Sequence, residues 1–593
     1  MKKIFLIIIV VSSFPFFGCK KNDFLREKPA DFLTIDNAFL NAAQFRTGLN
    51  FLYYKLRENY IIDDGDTRTV QFGSGADINF SQNDQNVWTN YSYLNANAGW
   101  LKDLFNRQWE VINNANNILK QSENPDVKWA NNAEKLEIQA EARFFRAWSY
   151  RFLSEMWGDM PLITEPVTVP NLAYSRDKRE KVYEQCVEDF KFAAENLPRT
   201  TNEVGKLVSG AAYHFLSEMY IALADERGGT DKTLYQSAVD AASKVINSGD
   251  YKLMTSRFGY RSSVPNKDAF WDLFQMTRED GTTNFSYQGG NKESLLIIHL
   301  DKFKTGGLPP ALSTRSDQER MFWPAFWGYN GKFGYTGVAR SWMGRGVAWV
   351  RPTSYFIYDL WAKSGPEDTR NAEWNINRVF KVPNPNMTYQ NVPDPSRNWP
   401  TAPQTITLAN GSTITVQLHP GDTIRKEWLV TREDTMSRWY PRVMKMGSDW
   451  HYGEDPNTYY PGIADPSNTF VMDYYVARLA ETYLLRAEAY MKLGDLTNAA
   501  ADINTVRARS NATPVAPADV DIDYILDERG RELYGEELRT LTLCRLKMYS
   551  SRTKRYGYPL CASTVDNSTL KNNLWPIPQS VIDANYLKPF PQN

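Results

Sequence analysis

The stretch "VARLAETYLLRAEAYMKLGDLTNAAADINTVRARS", residues 476–510, constrains this chain more than any other. Tyr483, Ala487 and Tyr490 share one helical stripe, and Gly494-Asp495 marks a turn. Ala499 and Ile503 then fall on one face of a second helix. Large, small, aromatic, small, large at this spacing is the tetratricopeptide pattern. Small residues let two helices approach closely, and the aromatics fill the groove of the next pair. An earlier segment repeats the first half with Tyr213, Ser217 and Tyr220, but its turn is longer and Ala238 arrives late. The pattern predicts degenerate helical pairs scattered through the chain without forming one continuous solenoid.

Helical periodicity extends over most of the N-terminal part. Phe45, Leu49, Leu52 and Leu56 form one apolar stripe, and a second helix covers "WLKDLFNRQWEVINNANNILKQS". A long third helix ends at Gly158 before Pro161, and a fourth runs from about Asp177 to Leu197 before Pro198. Between Gly249 and about Pro466 the pattern changes to Gly, Pro, Asn and aromatics. There "TITLANGSTITVQL" predicts a hairpin turning at Asn410-Gly411. The expected fold class is mainly α: tetratricopeptide-like pairs forming a scaffold that carries long irregular loops and a small β hairpin. The expected regions are 1–18, 19–248, 249–466 and 467–593, with 19–593 packed as one unit.

The N-terminus reads as an export and anchoring signal. Ile4 to Phe17 is an apolar run behind Lys2 and Lys3. It is shorter than the roughly 20 residues of a spanning helix, which fits a signal peptide at 1–18. Phe16-Phe17-Gly18-Cys19 resembles a relaxed bacterial lipobox, which makes Cys19 the expected site of lipidation. Removing 1–18 takes away two lysines and no acid, leaving 66 basic against 69 acidic residues. That balance argues against nucleic acid as a partner. Of the remaining cysteines, Cys186, Cys544 and Cys561, the only local candidate bridge is Cys544 to Cys561.

Catalytic signatures are missing. The four histidines, His214, His299, His419 and His451, are widely separated. There is no H-E-x-x-H, P-loop or G-x-S-x-G. The helical context of His214 favours a packed or capping role over metal binding. "DDGDT" at Asp63 to Thr67 reads as a solvated turn rather than a calcium loop. Glu528, Glu532 and Glu536 recur every four residues beside Arg529 and Arg531, the pattern of a salt-bridged helix face. No enzyme activity, metal or cofactor is expected.

The positive signal is aromatic. "FWPAFWGYNGKFGYTGVARSWMGRGVAWVRPTSYFIYDLW" and "NVWTNYSYLNANAGW" interleave Trp and Tyr with Gly, Asn and Arg. A flat ring stacks on the C–H face of a sugar while amides and guanidinium groups bond its hydroxyls. On that chemistry Trp88, Asn90, Tyr91, Trp323, Trp327, Arg340 and Trp342 are the candidate ligand-binding residues. The bland alternative for each ring is that it plugs a loop-rich core.

Six segments in order, from "DFLREKP" through "EARFFRAWSYRFLSEMWGDMPLI", "VRPTSYFIYDLW", the repeat pair and "ILDERGRELYGEELRTLTLCRLK" to "WPIPQSVIDANYLKPFPQN", together resemble the SusD/RagB-type outer-membrane lipoproteins of glycan-uptake systems. Thr540 and Thr542 depart from the pattern, standing where that family usually has Trp and Asp. The resemblance implies a mostly helical, non-catalytic lipoprotein anchored in the cell outer membrane and exposed at the surface. It would sit on a TonB-dependent (SusC-like) transporter and pass it a captured oligosaccharide. A peptide-capturing member of the same family is the alternative, and a surface polysaccharide hydrolase a more distant one.

Overall fold

The computed structural model describes residues 38–60, 72–83, 85–275, 282–300, 318–329, 332–333, 346–382, 403–419, 422–447 and 472–593. Cys19, the "DDGDT" turn, Arg340 and Trp342 lie outside these residues. The main helices, labelled in chain order, are α1 (Ala42–Tyr60), α2 (Gly99–Ser122), α3 (Asn132–Trp157), α4 (Arg179–Asn196), α5 (Ser209–Glu226) and α6 (Lys232–Ile246). After a long insertion come α7 (Leu479–Leu493), α8 (Leu496–Ala508), α9 (Ile522–Leu533), α10 (Arg539–Arg545) and α11 (Tyr549–Tyr556). Their limits follow local chemistry. Asn131 caps α3 by accepting from the Glu134 amide, and Gly158 ends it at φ 79°. Gly494 closes α7 in the left-handed conformation, and Asp495 caps α8 one residue later.

The scattered-repeat expectation is corrected. Helices α2 to α6 pack each on the next, α6 packs on α7, and α7 packs on α8. The array is therefore continuous in space although the insertion divides it in sequence. The insertion returns the chain to its start through an antiparallel ladder between β2 (Ser294–Ile298) and β8 (Tyr474–Arg478). β8 runs directly into α7, which places α7 against α6. The small-residue rule holds at the helix contacts: Ser217 is fully buried and its Oγ donates to the Ala238 carbonyl at 2.8 Å.

The insertion also carries the expected hairpin. β4 (Ile376–Asn377) pairs with β7 (Arg442–Val443) and β5 (Gln404–Thr407) with β6 (Thr413–Val416), and Gly411 turns the chain between the latter two at φ 81°. The hairpin covers a satellite core built from Phe326, Phe333, Phe380, Ile406 and Trp428. Much of the insertion's aromatic content fills this core and the main one.

What joins insertion to scaffold is ionic and buried. Glu528 and Glu532 stand on α9, and Glu536 follows it. Glu532 Oε1 accepts from Arg478 Nη1 at 2.6 Å and from Arg509, while its Oε2 accepts from Arg370 Nη1 at 2.9 Å. Glu528 accepts from Arg370 at 2.7 Å, Arg507 at 2.6 Å and Arg531 at 2.9 Å. Glu536 holds Lys445 at 2.6 Å and Arg478 at 2.6 Å. Arg370 and Lys445 belong to the insertion, the others to the scaffold or to β8. The four-residue acidic spacing is thus a salt-bridged face turned inward.

Cys186, Cys544 and Cys561 are all buried and free of disulfides, which corrects the candidate bridge. Cys561 instead points its Sγ at the Thr89 carbonyl, 3.2 Å away. Thr540 and Thr542 are buried in α10, so the departure from the family pattern falls on packing. His214 is buried, as expected, with Nδ1 2.9 Å from Thr482 Oγ1. Burial lowers its pKa to about 3. The folded state then keeps it neutral while the unfolded chain takes up a proton below its ordinary 6.5. Its contribution is complete above that pH and fades below it. Burial raises the Glu155 carboxyl, which acts in the opposite direction. Isolating His214 therefore needs a variant. Between pH 7 and 5 the wild type is expected to lose about 2 kcal/mol more than His214→Asn. Urea midpoints at the two pH values check this, and equal losses would contradict it.

Candidate functional site

The two aromatic segments, far apart in sequence, meet at a short ladder. β1 (Asn79–Phe80) pairs antiparallel with β3 (Arg351–Pro352), Asn79 opposite Pro352 and Phe80 opposite Arg351. Around it, Thr353 donates its amide to the Ile78 carbonyl at 2.9 Å and its Oγ1 to the Asp77 carbonyl at 2.9 Å. Gln82 Nε2 reaches the Val347 carbonyl at 2.9 Å. The Arg-Pro-Thr element is thus the edge on which the 72–93 loop is laid.

That loop is also held from below. The Asp77 carboxylate accepts from Arg539 at 2.6 and 3.1 Å and from Arg552 at 3.0 Å. Despite full burial, the two guanidinium groups hold it at about pKa 2. Arg552 continues to Asp527 at 2.8 Å, which also accepts from Tyr355 OH at 2.6 Å. The Tyr91 hydroxyl donates to the Gly75 carbonyl at 2.7 Å and lies 2.7 Å from Tyr549 OH. Gly75 adopts φ 87°, and a side chain there would meet the Tyr91 hydroxyl at 2.6 Å. This is a close approach that only glycine permits.

These contacts reassign several sequence candidates. Trp88 is buried against Trp100 and Trp575, with ring centroids 4.8 and 5.8 Å away. Tyr91 is the strut just described. Trp323 is fully buried, donates Nε1 to the Val443 carbonyl at 3.0 Å and lies under Arg442. All three pack as core and present no ring face to solvent, the outcome expected of large aromatics. Asn90 is half-buried, and its Oδ1 accepts from the Ser92 amide to cap the 3₁₀ turn Tyr91–Tyr93. Trp327 lies in the turn Phe326–Tyr329, and its side chain is outside the described set.

The structure adds residues that sequence reasoning passed over. Tyr93 is 52% exposed and Tyr358 is 56% exposed. Trp349 is half-buried beside Arg320, whose guanidinium stands 5.1 Å from the ring centroid. Asn83, Gln85, Asn95 and Asn97 are exposed along the same loop. The missed signal is a three-residue period: a 3₁₀ turn has three residues per turn. Within it Tyr91 faces inward and Tyr93 outward, with the half-buried Asn90 capping its start. What results is an amide-rich loop with one outward ring, Tyr93, suited to hydroxyl-bearing ligands with apolar faces. Among the described residues there is no cluster of His, Cys, Asp and Glu fit to hold a metal. Among them also, no helix is long and apolar enough to cross a membrane.

Comparison with known proteins agrees with this architecture. The SusD family model matches residues 325–593. A second model, described as starch-binding associating with outer membrane, matches residues 23–221. SusD-like protein P25 of Formosa agariphila is 25% identical over 259 residues, 42% of this chain and 47% of that protein. Starch-binding protein SusD of Bacteroides thetaiotaomicron is 35% identical over 115 residues, 19% of this chain and 20% of that protein. The chain thus spans about half of the first relative's length and a fifth of the second's. The solved structure of a laminarin-binding SusD-like protein superposes with TM-score 0.61 at 19% identity, covering 94% of this chain and 99% of that one. At that identity the likeness concerns the fold.

Proposed function

We propose that this chain, matched by the SusD family model at residues 325–593 and by the starch-binding, outer-membrane-associating model at residues 23–221, is a SusD-like protein that captures oligosaccharides at the cell surface and delivers them to a TonB-dependent, SusC-like transporter in the outer membrane, without catalysis. The observation that carries the reading is the β1–β3 ladder, which lays residues 79–80, in the loop that goes on to Asn90 and Tyr93, against residues 351–352, just after Trp349. The exposed Tyr93 ring among the exposed amides of Asn83, Gln85, Asn95 and Asn97 supplies stacking and hydroxyl recognition together, with Trp349 half-buried on the segment across the ladder. Trp327, Arg340 and Trp342 are proposed as further ligand-binding residues on their side-chain chemistry alone. The curated relative named for starch binding and the neighbour named for laminarin support a glucan as the first ligand class to try.

A glycan array probed with protein lacking residues 1–19 tests the reading. Binding to at least one oligosaccharide is expected, and the double variant Tyr93→Ala/Trp349→Ala is expected to lose it about tenfold or more, near 1.4 kcal/mol. Retention only of peptides on a parallel array would replace the ligand class. New reducing ends released from polysaccharide would replace the non-catalytic reading.

Cys19 is proposed as the lipid attachment point. Each buried methylene contributes about 0.8 kcal/mol, so several acyl chains would hold the protein without a spanning helix. Cys19→Ala is expected to move the protein from the membrane to the soluble fraction. Unchanged fractionation would contradict the anchor.

A further inference from the structure

Helix α1 carries two stripes. Phe45, Leu49, Leu52 and Leu56 are buried in the main core. One position along, Arg46, Asn50, Tyr53 and Arg57 follow the same helical spacing and line a cavity of about 360 Å³. Its other walls are residues 203–206, the end of β2 at Ile297 and Ile298, and His299 just after it. Glu141 of α3 also lines it and is 1% exposed. Glu141 Oε2 accepts from the Tyr53 hydroxyl at 2.7 Å, and that hydroxyl in turn accepts from the Leu207 amide at 3.0 Å. Glu141 Oε1 is buried and accepts no hydrogen bond from the described residues, with Arg46 Nη1 standing 3.7 Å away.

A buried carboxylate oxygen without a donor is costly, and a ligand that supplies one removes the cost. The charges of the lining narrow the ligand class. An ammonium would meet Arg46, Arg57 and Lys206, and a carboxylate would meet Glu141 and Glu203. A neutral polyol meets neither difficulty. Its hydroxyls donate to Glu141 and accept from the guanidinium groups, while the Tyr54 ring, also in the lining, offers an apolar wall. The volume lies at the small end of ligand pockets.

We infer that the cavity between α1, α3 and β2 is a second saccharide site, holding one or two neutral sugar units with Glu141 Oε1 as acceptor of a ligand hydroxyl. It rests on the reading above for the saccharide class alone, since its residues are separate from the β1–β3 surface. Both sites can be followed by saturation-transfer NMR on the chain lacking residues 1–19, using D-glucose, D-galactose, D-glucosamine, maltohexaose and laminarihexaose as probes.

At least one neutral monosaccharide is expected to give a signal that falls fivefold or more in Asn50→Trp, which fills the exposed mouth, and in Glu141→Gln, which replaces one acceptor oxygen by a donor. Lys120→Gln, an exposed residue of α2 outside both sites, is expected to leave that signal unchanged. Folding of each variant is checked by thermal melting. The inference is overturned if no monosaccharide binds the wild type. It is also overturned if folded Asn50→Trp binds monosaccharides as the wild type does, or if glucosamine binds as strongly as the neutral sugars. Loss of hexasaccharide binding in Tyr93→Ala reports on the outer surface, so either site can fail without the other.

Discussion

Glu532→Gln is expected to be among the most destabilising single substitutions in this chain, costing about 3–5 kcal/mol. The substitution keeps the side chain's shape and removes one charge. Arg370, Arg478 and Arg509 all converge on that carboxylate, and their guanidinium groups are at most 1% exposed. Neutralising Glu532 leaves them with an excess of buried positive charge. Glu528, Glu293 and Glu536 take up part of it, because they already bond the same arginines. The comparison that isolates burial is Lys120→Gln, which breaks the exposed pair with Glu165 and should cost under about 1 kcal/mol. Urea unfolding of the two variants checks the ordering. A Glu532→Gln loss as small as that of Lys120→Gln would show that the network does not bind the insertion to the scaffold.

Asp77→Asn is expected to cost a comparable amount, about 3 kcal/mol or more, and to act on ligand capture as well. Asp77 connects two levels of the structure. Its carboxylate is held by Arg539 and Arg552 of the C-terminal helices, and its carbonyl receives Thr353 next to the β1–β3 ladder. Removing its charge leaves two buried guanidinium groups beneath the loop that carries Asn90 and Tyr93. The expected result is faster amide exchange across residues 72–93 and a fall in oligosaccharide affinity of about tenfold. No ligand-facing residue changes in this variant, so undiminished affinity would detach the loop's anchoring from binding.

The helical pairs were legible because their signal is local. Spacing within 35 residues specifies how one helix meets the next, and Gly494 and Asp495 mark the turn between them. The continuity of the array was not legible, because α6 meets α7 only after the insertion has looped out and β2 has paired with β8. The acidic spacing at Glu528, Glu532 and Glu536 was visible, but its burial was not. Charged residues are normally solvated, and the partners that bury these come from Arg370, Lys445, Arg478 and Arg509, far away in sequence. The site was half legible. Composition located both aromatic segments, and the ladder unites them. Which ring faces outward depends on the three-residue period at Tyr91–Tyr93 and on the Tyr91 strut to Gly75. Neither is visible until the loop is closed, so Trp88, Tyr91 and Trp323 looked as available as Tyr93 and Trp349.

The central claim is that the β1–β3 surface captures oligosaccharides. Calorimetric titration of the chain lacking residues 1–19 with whichever oligosaccharide the array selects, repeated with Tyr93→Ala/Trp349→Ala, tests it most directly. The account predicts saturable binding that weakens tenfold or more in the double variant while its thermal melt shows that it is still folded at the titration temperature. Equal affinity in the two proteins would contradict it.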